Sequence, residues 1–367
     1  CKYYFELHSG DEVLYYFEDG FYTGEEIAHP GKELSYFIFP WMNPVDICRT
    51  PSWVNDTVWY QIFPERFRNG DPANDPGGVR PWRCEPITGN DDYYGGDLSG
   101  IIEKLPYLQE LGVTGLYLTP VFEAASNHKY NTRDYRRVDP SFGTNDDLKR
   151  LVEEAHRRNI KVMLDGVFNH TGTDIKLWQD VNRNGRDSRY FDWYMINDYR
   201  PGETGSTRDG RYFSFAFSEK MPKLNTNNPE VRAYLLDIVR FWLEEFAIDG
   251  LRLDVGNEIS HEFLRELNRM TKSIKPDFYL LGEIWHDSIE WLRGDEYDAV
   301  MNYPLATAIS NYWIYEDWDK AEFEYAINRS FTTYRQQTND VLFNLLDSHD
   351  TNRLMDKVGN DVDVCFQ

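Results

Sequence analysis

The stretch Gly250-Leu-Arg-Leu-Asp254 is an apolar run that ends in a carboxylate, and two similar stretches follow it in the chain. These are Leu280-Leu-Gly-Glu-Ile-Trp285 and Asn344-Leu-Leu-Asp-Ser-His-Asp350. Strands of a parallel sheet are covered on both faces, so their sequences are almost continuously apolar. A buried carboxylate is unfavourable unless it is paired or takes part in chemistry. Three acids at the ends of three such runs therefore predict one shared pocket at the carboxyl edge of a parallel sheet.

Outward from these runs, strand-like and helix-like segments alternate from about residue 55 onward. Apolar runs predict strands near 58–64, 113–120, 161–167, 250–254, 280–284, 298–304 and 341–346. Helical spacing of apolar residues predicts helices at 98–111, 145–158, 229–246, 258–273 and 319–335. This α/β order predicts a parallel sheet with right-handed crossovers, and a (β/α)₈ TIM barrel fits it best. No eighth unit is evident in the sequence, so we expect it to be missing.

Two parts of the chain depart from this alternation. Residues 1–49 carry two β-rich runs around the turn signal Ser9-Gly10-Asp11 and predict the C-terminal part of an N-terminal β-sandwich domain. Residues 50–367 are then the barrel domain. Within it, residues 168–228 are polar and glycine-rich. Because a structureless loop of this length is uncommon in a compact domain, they predict a subdomain inserted after the third strand.

The acidic composition narrows the classes of partner. The formal net charge is −23 at pH 7, which disfavours nucleic acid and anionic membrane surfaces and favours a neutral substrate or a cation. The sequence has neither an apolar run of about 18 residues nor a signal-peptide pattern, so we expect no membrane span and a cytoplasmic location. The four cysteines lie far apart, so neither a metal cluster nor a disulfide framework is expected.

Paired carboxylates of this kind suit the cleavage of glycosidic bonds. In a retaining glycoside hydrolase one acid attacks the anomeric carbon, while a second protonates the leaving oxygen and then deprotonates water. The two roles need opposite protonation states, so the pocket must separate the two pKa values. Arg252 lies two residues before Asp254, on the same side of the strand, and we expect it to keep Asp254 ionised.

Four segments, taken in order, resemble the conserved segments of the alpha-amylase superfamily of glycoside hydrolases. Asp165-Gly-Val-Phe-Asn-His170 is similar to the first segment, and the run ending at Asp254 to the nucleophile segment. Gly282-Glu-Ile-Trp285 is similar to the acid/base segment, and Leu346-Asp-Ser-His-Asp350 to the last. The resemblance covers about residues 50–367.

The resemblance implies a role for each matching residue. Asp254 would be the nucleophile, Glu283 the general acid/base, and Asp350 the acid that holds sugar hydroxyls and stabilises the transition state. The contacts to the sugar or the nucleophile would come from His128, Tyr130, His170, Arg252 and His349. Two alternatives stay open: Tyr130 could serve packing alone, and Asp165 could be mainly a buried partner of Arg252.

Two further segments indicate one branch of this superfamily. Met221-Pro-Lys-Leu-Asn225 and residues 53–66 resemble the neopullulanase, cyclomaltodextrinase and maltogenic amylase group, although Gly256 stands where alanine is more usual. This implies hydrolysis of α-1,4 and sometimes α-1,6 bonds in maltodextrins, cyclodextrins or pullulan, often with transglycosylation. α-Glucan oligosaccharides are the implied partners, with a homodimer in the full-length protein. The alternative is a non-catalytic barrel that binds α-glucan or a protein partner, although such relatives usually lack the acids.

An oxygen-rich loop predicts a metal site. Hard oxygen ligands suit Ca²⁺, and four oxygen-bearing side chains fall within residues 69–75, with a further carbonyl and carboxylate near residue 96. The candidate ligands are Asn69, Asp71, Asn74, Asp75, Gly95 and Asp97. The segment resembles a structural calcium loop found in part of this group. The alternative is an Asx-rich turn that holds no ion.

Overall fold

The chain divides into two units, Cys1–Cys48 and Arg49–Gln367. A computed structural model describes residues 1–39, 43, 47–82, 91–198 and 206–366. Among these residues, no helix has the length and apolar character needed to cross a membrane.

The first unit is an antiparallel β structure. Its strands are β1 (Lys2–Tyr3), β2 (Phe5–Ser9), β3 (Glu12–Phe17), β4 (Gly20–Tyr22) and β5 (Phe37–Ile38). The order β2-β3-β4 forms one sheet, and β1 pairs with β5. The hairpin predicted around Gly10 is confirmed, since β2 pairs with β3 across a turn in which Gly10 takes a φ of +61°. The short helix α1 (Gly24–Ile27) begins at a capping box of Thr23 and Glu26.

The second unit alternates strands and helices. Its strands are β6 (Trp59–Ile62), β7 (Gly115–Leu118), β8 (Phe122–Ala124), β9 (Thr132–Val138), β10 (Lys161–Gly166), β11 (Gly250–Leu253), β12 (Tyr279–Gly282) and β13 (Ala299–Val300). Its helices are α2 (Leu98–Glu110), α3 (Asn145–His156), α4 (Lys176–Asn184), α5 (Pro229–Phe246), α6 (His261–Ile274), α7 (Tyr303–Ile309), α8 (Lys320–Thr333), α9 (Gln336–Asn339), α10 (Leu354–Lys357) and α11 (Val362–Phe366). The first five predicted strands and the five predicted helices are confirmed to within a few residues. The sixth strand, predicted at 298–304, is confirmed only at Ala299–Val300, because α7 begins at Tyr303.

Six of these strands form one parallel sheet, in the order β13-β12-β11-β10-β7-β6. The register places Asp165 of β10 beside Arg252 of β11, and Arg252 beside Leu281 of β12. Because all six strands run in one direction, their carboxyl ends meet at one edge. Strands β8 and β9 form a separate antiparallel pair.

The sheet curls so that distant strands approach one another. The ring of Trp59 in β6 lies 6.0 Å from the ring of Tyr279 in β12 and 5.8 Å from that of Phe343. These rings pack in one cluster with Tyr117 and Met163, while a larger apolar cluster joins the sheet to the helices. An apolar layer on each face explains why the strands read as continuous apolar runs. The curled parallel sheet is consistent with the wall of a TIM barrel.

The strand predicted at 341–346 is present only as a single bridge, so that prediction is wrong in its extent. Phe343 pairs in parallel with Met301, just beyond β13. At the next position Asn302 Nδ2 donates to Asn344 Oδ1 at 2.9 Å. A longer strand would continue its backbone pairing at this position, but the contact here is between two side-chain amides.

Between β10 and α5 the chain folds on itself through short pairings. Isolated antiparallel bridges join His170 to Lys223, Tyr194 to Leu224 and Ser214 to Pro222. Part of this stretch, residues 199–205, lies outside the described residues. The bridges bring the chain back towards the end of β10, beside His170.

Candidate active site

Arg252 is the centre of a buried charge cluster at the carboxyl edge of the sheet. Its side chain is fully buried (0% exposed). Its Nη1 atom lies 2.9 Å from Asp165 Oδ2 and 3.0 Å from Asp254 Oδ1, and its Nη2 atom lies 2.8 Å from Glu283 Oε2. Neighbouring strands β10, β11 and β12 each deliver one of these acids at or just past their ends. One guanidinium therefore faces three carboxylates.

A chain of hydrogen bonds fixes the ring of Tyr130 beside this cluster. Tyr130 Oη donates to Asp165 Oδ2 at 2.8 Å and lies 2.6 Å from His349 Nε2. Gln61 Nε2 donates to His349 Nδ1 at 2.8 Å, so the neutral imidazole carries its hydrogen on Nε2 and donates it to Tyr130. The rings of Tyr130 and His349 are stacked, 5.4 Å apart and 4° from parallel. Asp165 Oδ2 also accepts from Tyr117 at 2.6 Å.

Lys129 shapes the turn that carries His128 and Tyr130. It has a φ of +62°, which is uncommon for a residue with a side chain and needs support from its surroundings. Its buried ammonium lies 2.8 Å from Asp139 Oδ2 and 5.1 Å from the ring centre of Phe142. The ion pair anchors the turn, and the side chains before and after Lys129 both reach the same cavity.

Glu283 is held from two sides. Val255 N donates to its Oε2 atom at 2.9 Å, and Trp285 Nε1 donates to its Oε1 atom at 3.0 Å. The ring of Trp285 is stacked on Tyr303, 3.8 Å away and 8° from parallel. Val255 takes a φ of +48°, a strained value for a β-branched residue, directly after Asp254. Such strain is found mostly where function requires a fixed geometry.

A cavity of about 610 Å³ opens at the ends of these strands. The predicted site residues at its wall are Asp254, Glu283, Asp350, His128, Tyr130, His170 and His349. Arg252 lies behind the acids and contacts Asp254 and Glu283 directly. The acids that follow the three apolar runs therefore share one cavity, although the run before Asp350 pairs only at Phe343, and their chemical roles stay predictions.

Burial sets the protonation of the groups around the cavity. It raises the pKa of Asp350, whose side chain is 42% exposed, to about 6. It lowers the pKa of His170 and of His349 to about 3. Both imidazoles are therefore neutral at pH 7, and they act as hydrogen-bonding groups rather than as charges.

Burial also outweighs Arg252 at Asp254. Desolvation raises the pKa of Asp254 well above its usual range, the guanidinium of Arg252 lowers it, and the charges of Asp165 and Glu283 raise it again. The direction of this pKa is therefore opposite to the expectation that Arg252 keeps Asp254 ionised. One cation cannot balance three buried carboxylates, so a proton shared within the cluster is favourable.

Several cavity residues were not identified from the sequence. They are Phe63, Arg66, Asn127, Phe215, Met221, Val255 and Asn257. Asn127 adjoins His128, so its position was a usable signal. Phe215 lies in a stretch with no recognisable pattern, yet its ring stacks on His170 at 5.0 Å and 19°. Long-range folding of the segment after β10 brings it there.

The oxygen-rich loop is compact. Asn69 Nδ2 donates to Asp75 Oδ1 at 2.7 Å, and a Cβ on Gly95 would lie 2.5 Å from both of these atoms. Gly95 also has a φ of +74°, so glycine is required at this position. The Oδ1 atoms of Asn69 and Asn74 are buried and have no hydrogen-bond partner among the residues that the structure describes. Two orphaned amide oxygens fit a hard cation such as Ca²⁺.

Two of the predicted metal ligands have protein partners. Asp97 caps α2, and its carboxylate accepts amide hydrogens from Gly70, Asp71 and Gly100, the last at 2.6 Å. Asp71 Oδ1 accepts from Ala73 N at 3.1 Å. Among the described residues, no three His, Cys, Asp or Glu side chains gather as a metal site. Amide and carbonyl oxygens would therefore have to supply much of any coordination shell.

A curled parallel sheet whose carboxyl edge presents acids to an open cavity defines a barrel-type α/β protein with an enzyme-like site. The particular family follows from its sequence pattern. The chain belongs to the alpha-amylase family, because the pattern described as alpha amylase, catalytic domain, matches residues 61–366.

Several named members of this family align with nearly the whole chain. A cyclomaltodextrinase of Geobacillus thermopakistaniensis is 51% identical over 98% of this chain and 60% of its own length. Neopullulanase 2 of Thermoactinomyces vulgaris is 45% identical over 95% of this chain and 58% of its own length. A solved cyclomaltodextrinase structure aligns with a TM-score of 0.84 and 45% identity, covering 99% of this chain and 61% of that one. The chain thus spans about three fifths of the length of the curated relatives it matches.

Proposed function

We propose that the chain is the catalytic part of a retaining glycoside hydrolase acting on maltodextrins, cyclodextrins or pullulan. It would cleave α-1,4 and, in some substrates, α-1,6 glucosidic bonds, with transglycosylation as a side reaction. The observation that carries this proposal is the convergence of Asp254, Glu283 and Asp350 on one cavity. Support comes from relatives named cyclomaltodextrinase, maltogenic alpha-amylase and neopullulanase.

In this proposal Asp254 is the nucleophile and Glu283 the general acid/base. Both contact the guanidinium of Arg252, which suits the separation of about 5 Å that a retaining pair needs. Burial raises the pKa of Asp165 as well, while Arg252 and the hydrogen bond from Tyr117 oppose that rise. The proposed mechanism places the proton of the cluster on the reacting pair. On Glu283 it can be given to the leaving oxygen while Asp254 attacks, and Glu283 then takes a proton from water.

The polar groups around the cavity match a transition state that carries positive charge. Neutral His170 and His349 line the cavity without repelling that charge, and their ring nitrogens hold Tyr130 in place. Asp350, ionised above about pH 6, would hold two hydroxyls and stabilise the oxocarbenium-like carbon. Tyr130, fixed by His349, offers its ring to one face of the sugar, and His128 contacts its rim.

The family assignment also supports finer features of the architecture. In the proposed arrangement the six parallel strands are part of a (β/α)₈ barrel, residues 168–228 form a subdomain inserted after its third strand, and residues 1–49 complete a β-sandwich. For the full-length protein we propose a homodimer and a cytoplasmic location. The latter is supported by an intracellular maltogenic amylase of Bacillus subtilis, which is 48% identical over 326 residues.

A structural Ca²⁺ ion in the oxygen-rich loop is also part of the proposal. Asn69, Asn74 and Asp75 would hold it through side-chain oxygens, with Asp71 and the Gly95 carbonyl completing the shell. Asp97 would orient the loop through its amide hydrogen bonds. The ion would satisfy the two orphaned amide oxygens and tie the loop to the wall of the sheet.

The test of the catalytic proposal is product analysis of the full-length protein on β-cyclodextrin, starch and pullulan in parallel. We expect maltose and glucose release, panose from pullulan, and the α-anomer as the first product by NMR. Asp254→Asn and Glu283→Gln should each lower turnover by at least about a hundredfold. Asp237→Asn, an exposed surface change with a side chain 66% accessible, is the control and should keep the wild-type rate.

Near-normal turnover in either acid variant, or a β-anomer as first product, contradicts the proposed mechanism. Binding of maltodextrin with no product release would show the alternative, a non-catalytic α-glucan-binding barrel.

A further inference from the structure

A second cavity adjoins the candidate active site, between helices α7 and α8. Its volume is about 540 Å³, within the range of small-ligand sites. Trp285 lines this cavity and also the one that holds Asp254 and Glu283. The indole, which is 49% exposed, therefore forms the boundary at which the two cavities meet.

One face of α8 forms the outer wall of this α7–α8 cavity. The lining residues on the helix are Glu322, Tyr325, Ala326, Arg329, Ser330 and Thr333. Steps of three and four residues place all of them on one side of the helix. No residue of α8 is buried, so this face is not packed into the core.

The lining combines aromatic faces with hydrogen-bonding groups. The rings are those of Trp285, Trp318, Tyr325 and Tyr334. The guanidinium of Arg329 lies 3.2 Å from Asp287 across the cavity. An apolar protein segment would desolvate the ion pair of Arg329 and Asp287 and offer it no hydrogen bonds, which is unfavourable. A sugar ring instead offers an apolar face for stacking and hydroxyls for the polar groups. The composition of the wall therefore favours a carbohydrate.

The position of Trp285 indicates in which direction a bound glucan would run. Its Nε1 atom donates to Glu283 at 3.0 Å, and Glu283 is the acid that protonates the leaving oxygen in the proposed function. Trp285 thus lies on the leaving-group side of the cleaved bond. Resting on that proposed function, we propose that the α7–α8 cavity binds the distal sugars of the leaving-group part of a long α-glucan, which crosses Trp285 to reach it.

The chain-length dependence of catalysis tests this assignment in the full-length protein. For Tyr325→Ala, kcat/KM on maltoheptaose should fall about threefold to tenfold, the loss expected for one aromatic contact, while maltotriose stays within about twofold of wild type. Phe331→Ala is the matched control: Phe331 lies on the same helix and is 67% exposed, against 68% for Tyr325, but it does not line the cavity. Calorimetry with maltoheptaose on an Asp254→Asn background should show the same loss of affinity for Tyr325→Ala.

Several results would overturn the assignment. An equal effect of Tyr325→Ala on both substrates, or the same effect from Phe331→Ala, shows that the cavity does not select long chains. A change of oligomeric state in Tyr325→Ala without a chain-length effect shows that a second copy or another protein segment covers α8. If the wild-type protein releases no sugar from any glucan, the proposed function fails, while calorimetry still decides whether the α7–α8 cavity binds maltoheptaose.

Discussion

Asp249 is a buried carboxylate just before β11, and its replacement by asparagine tests what holds the amino ends of the strands together. Its side chain is 1% exposed. Its oxygens lie 2.7 Å from Lys275 Nζ, 2.7 Å from His156 Nε2 and 3.1 Å from Lys161 Nζ. Val162 N also donates to it at 2.9 Å. Four groups from β10, α3 and the end of α6 thus converge on one side chain.

The expected cost of Asp249→Asn follows from the exposure of these partners. Removing one member of a fully buried ion pair costs about 3–5 kcal/mol, since the other charge is left uncompensated. Here the partner side chains of Lys161, His156 and Lys275 are 34%, 34% and 26% exposed, so water compensates part of the loss. We therefore expect the free energy of unfolding at pH 7 to fall by about 2–3 kcal/mol.

The effect should depend on pH with a defined sign. Burial by itself would raise the pKa of Asp249, but hydrogen bonds from His156 and Lys275 outweigh it and hold that pKa below its usual range. A lowered folded-state pKa gives stability that is present above the unfolded value of about 3.9 and is lost as pH falls below it. The gap between wild type and Asp249→Asn should accordingly be full at pH 7 and shrink below about pH 4.

Urea unfolding followed by tryptophan fluorescence measures this gap. Asp237→Asn is the control, because its pair with Arg136 is exposed (66% and 44%) and should contribute less than about 1 kcal/mol. The reasoning is refuted if Asp249→Asn costs no more than Asp237→Asn, or if the cost is the same at pH 3 as at pH 7.

Three further predictions follow from the site. Lys129→Met should lower the free energy of unfolding by about 3 kcal/mol, because it leaves the carboxylate of Asp139 buried without its ion-pair partner. It should also reduce kcat more than it raises KM, because the turn before Tyr130 is no longer anchored. Urea unfolding and steady-state kinetics check this, and an unchanged kcat contradicts it. In the wild type, the free energy of unfolding should fall by about 1 kcal/mol between pH 4 and pH 7, because burial raises the pKa of Asp350 and its partial exposure limits the effect. Asp350→Asn should remove this fall, and identical pH profiles of stability for the two proteins would disprove it. Chelation of Ca²⁺ should lower the Tm of wild type, and Asn69→Ala should abolish that shift; a wild-type Tm insensitive to chelator rules out the ion.

Much of the framework follows from local pattern. Continuous apolar runs indicate strands covered on both faces, and the acids that end three such runs are expected to meet where parallel strands share an edge. Asp254, Glu283 and Asp350 accordingly line one cavity. Helix starts also follow from local chemistry, as the Thr144 capping box and the proline in the first turn of α5 show.

Tertiary structure alone decided the balance of forces at the site. Arg252 and Asp254 are two residues apart in sequence, but the pKa of Asp254 depends on burial and on Asp165 and Glu283, which other strands deliver. The run at 341–346 has a strand-like sequence, yet it pairs only at Phe343, with Met301. The α7–α8 cavity has no local sequence signature. The local sequence determines the spacing and the polarity of the side chains. Desolvation, charge balance and cavities depend on which distant segments pack together in the folded protein.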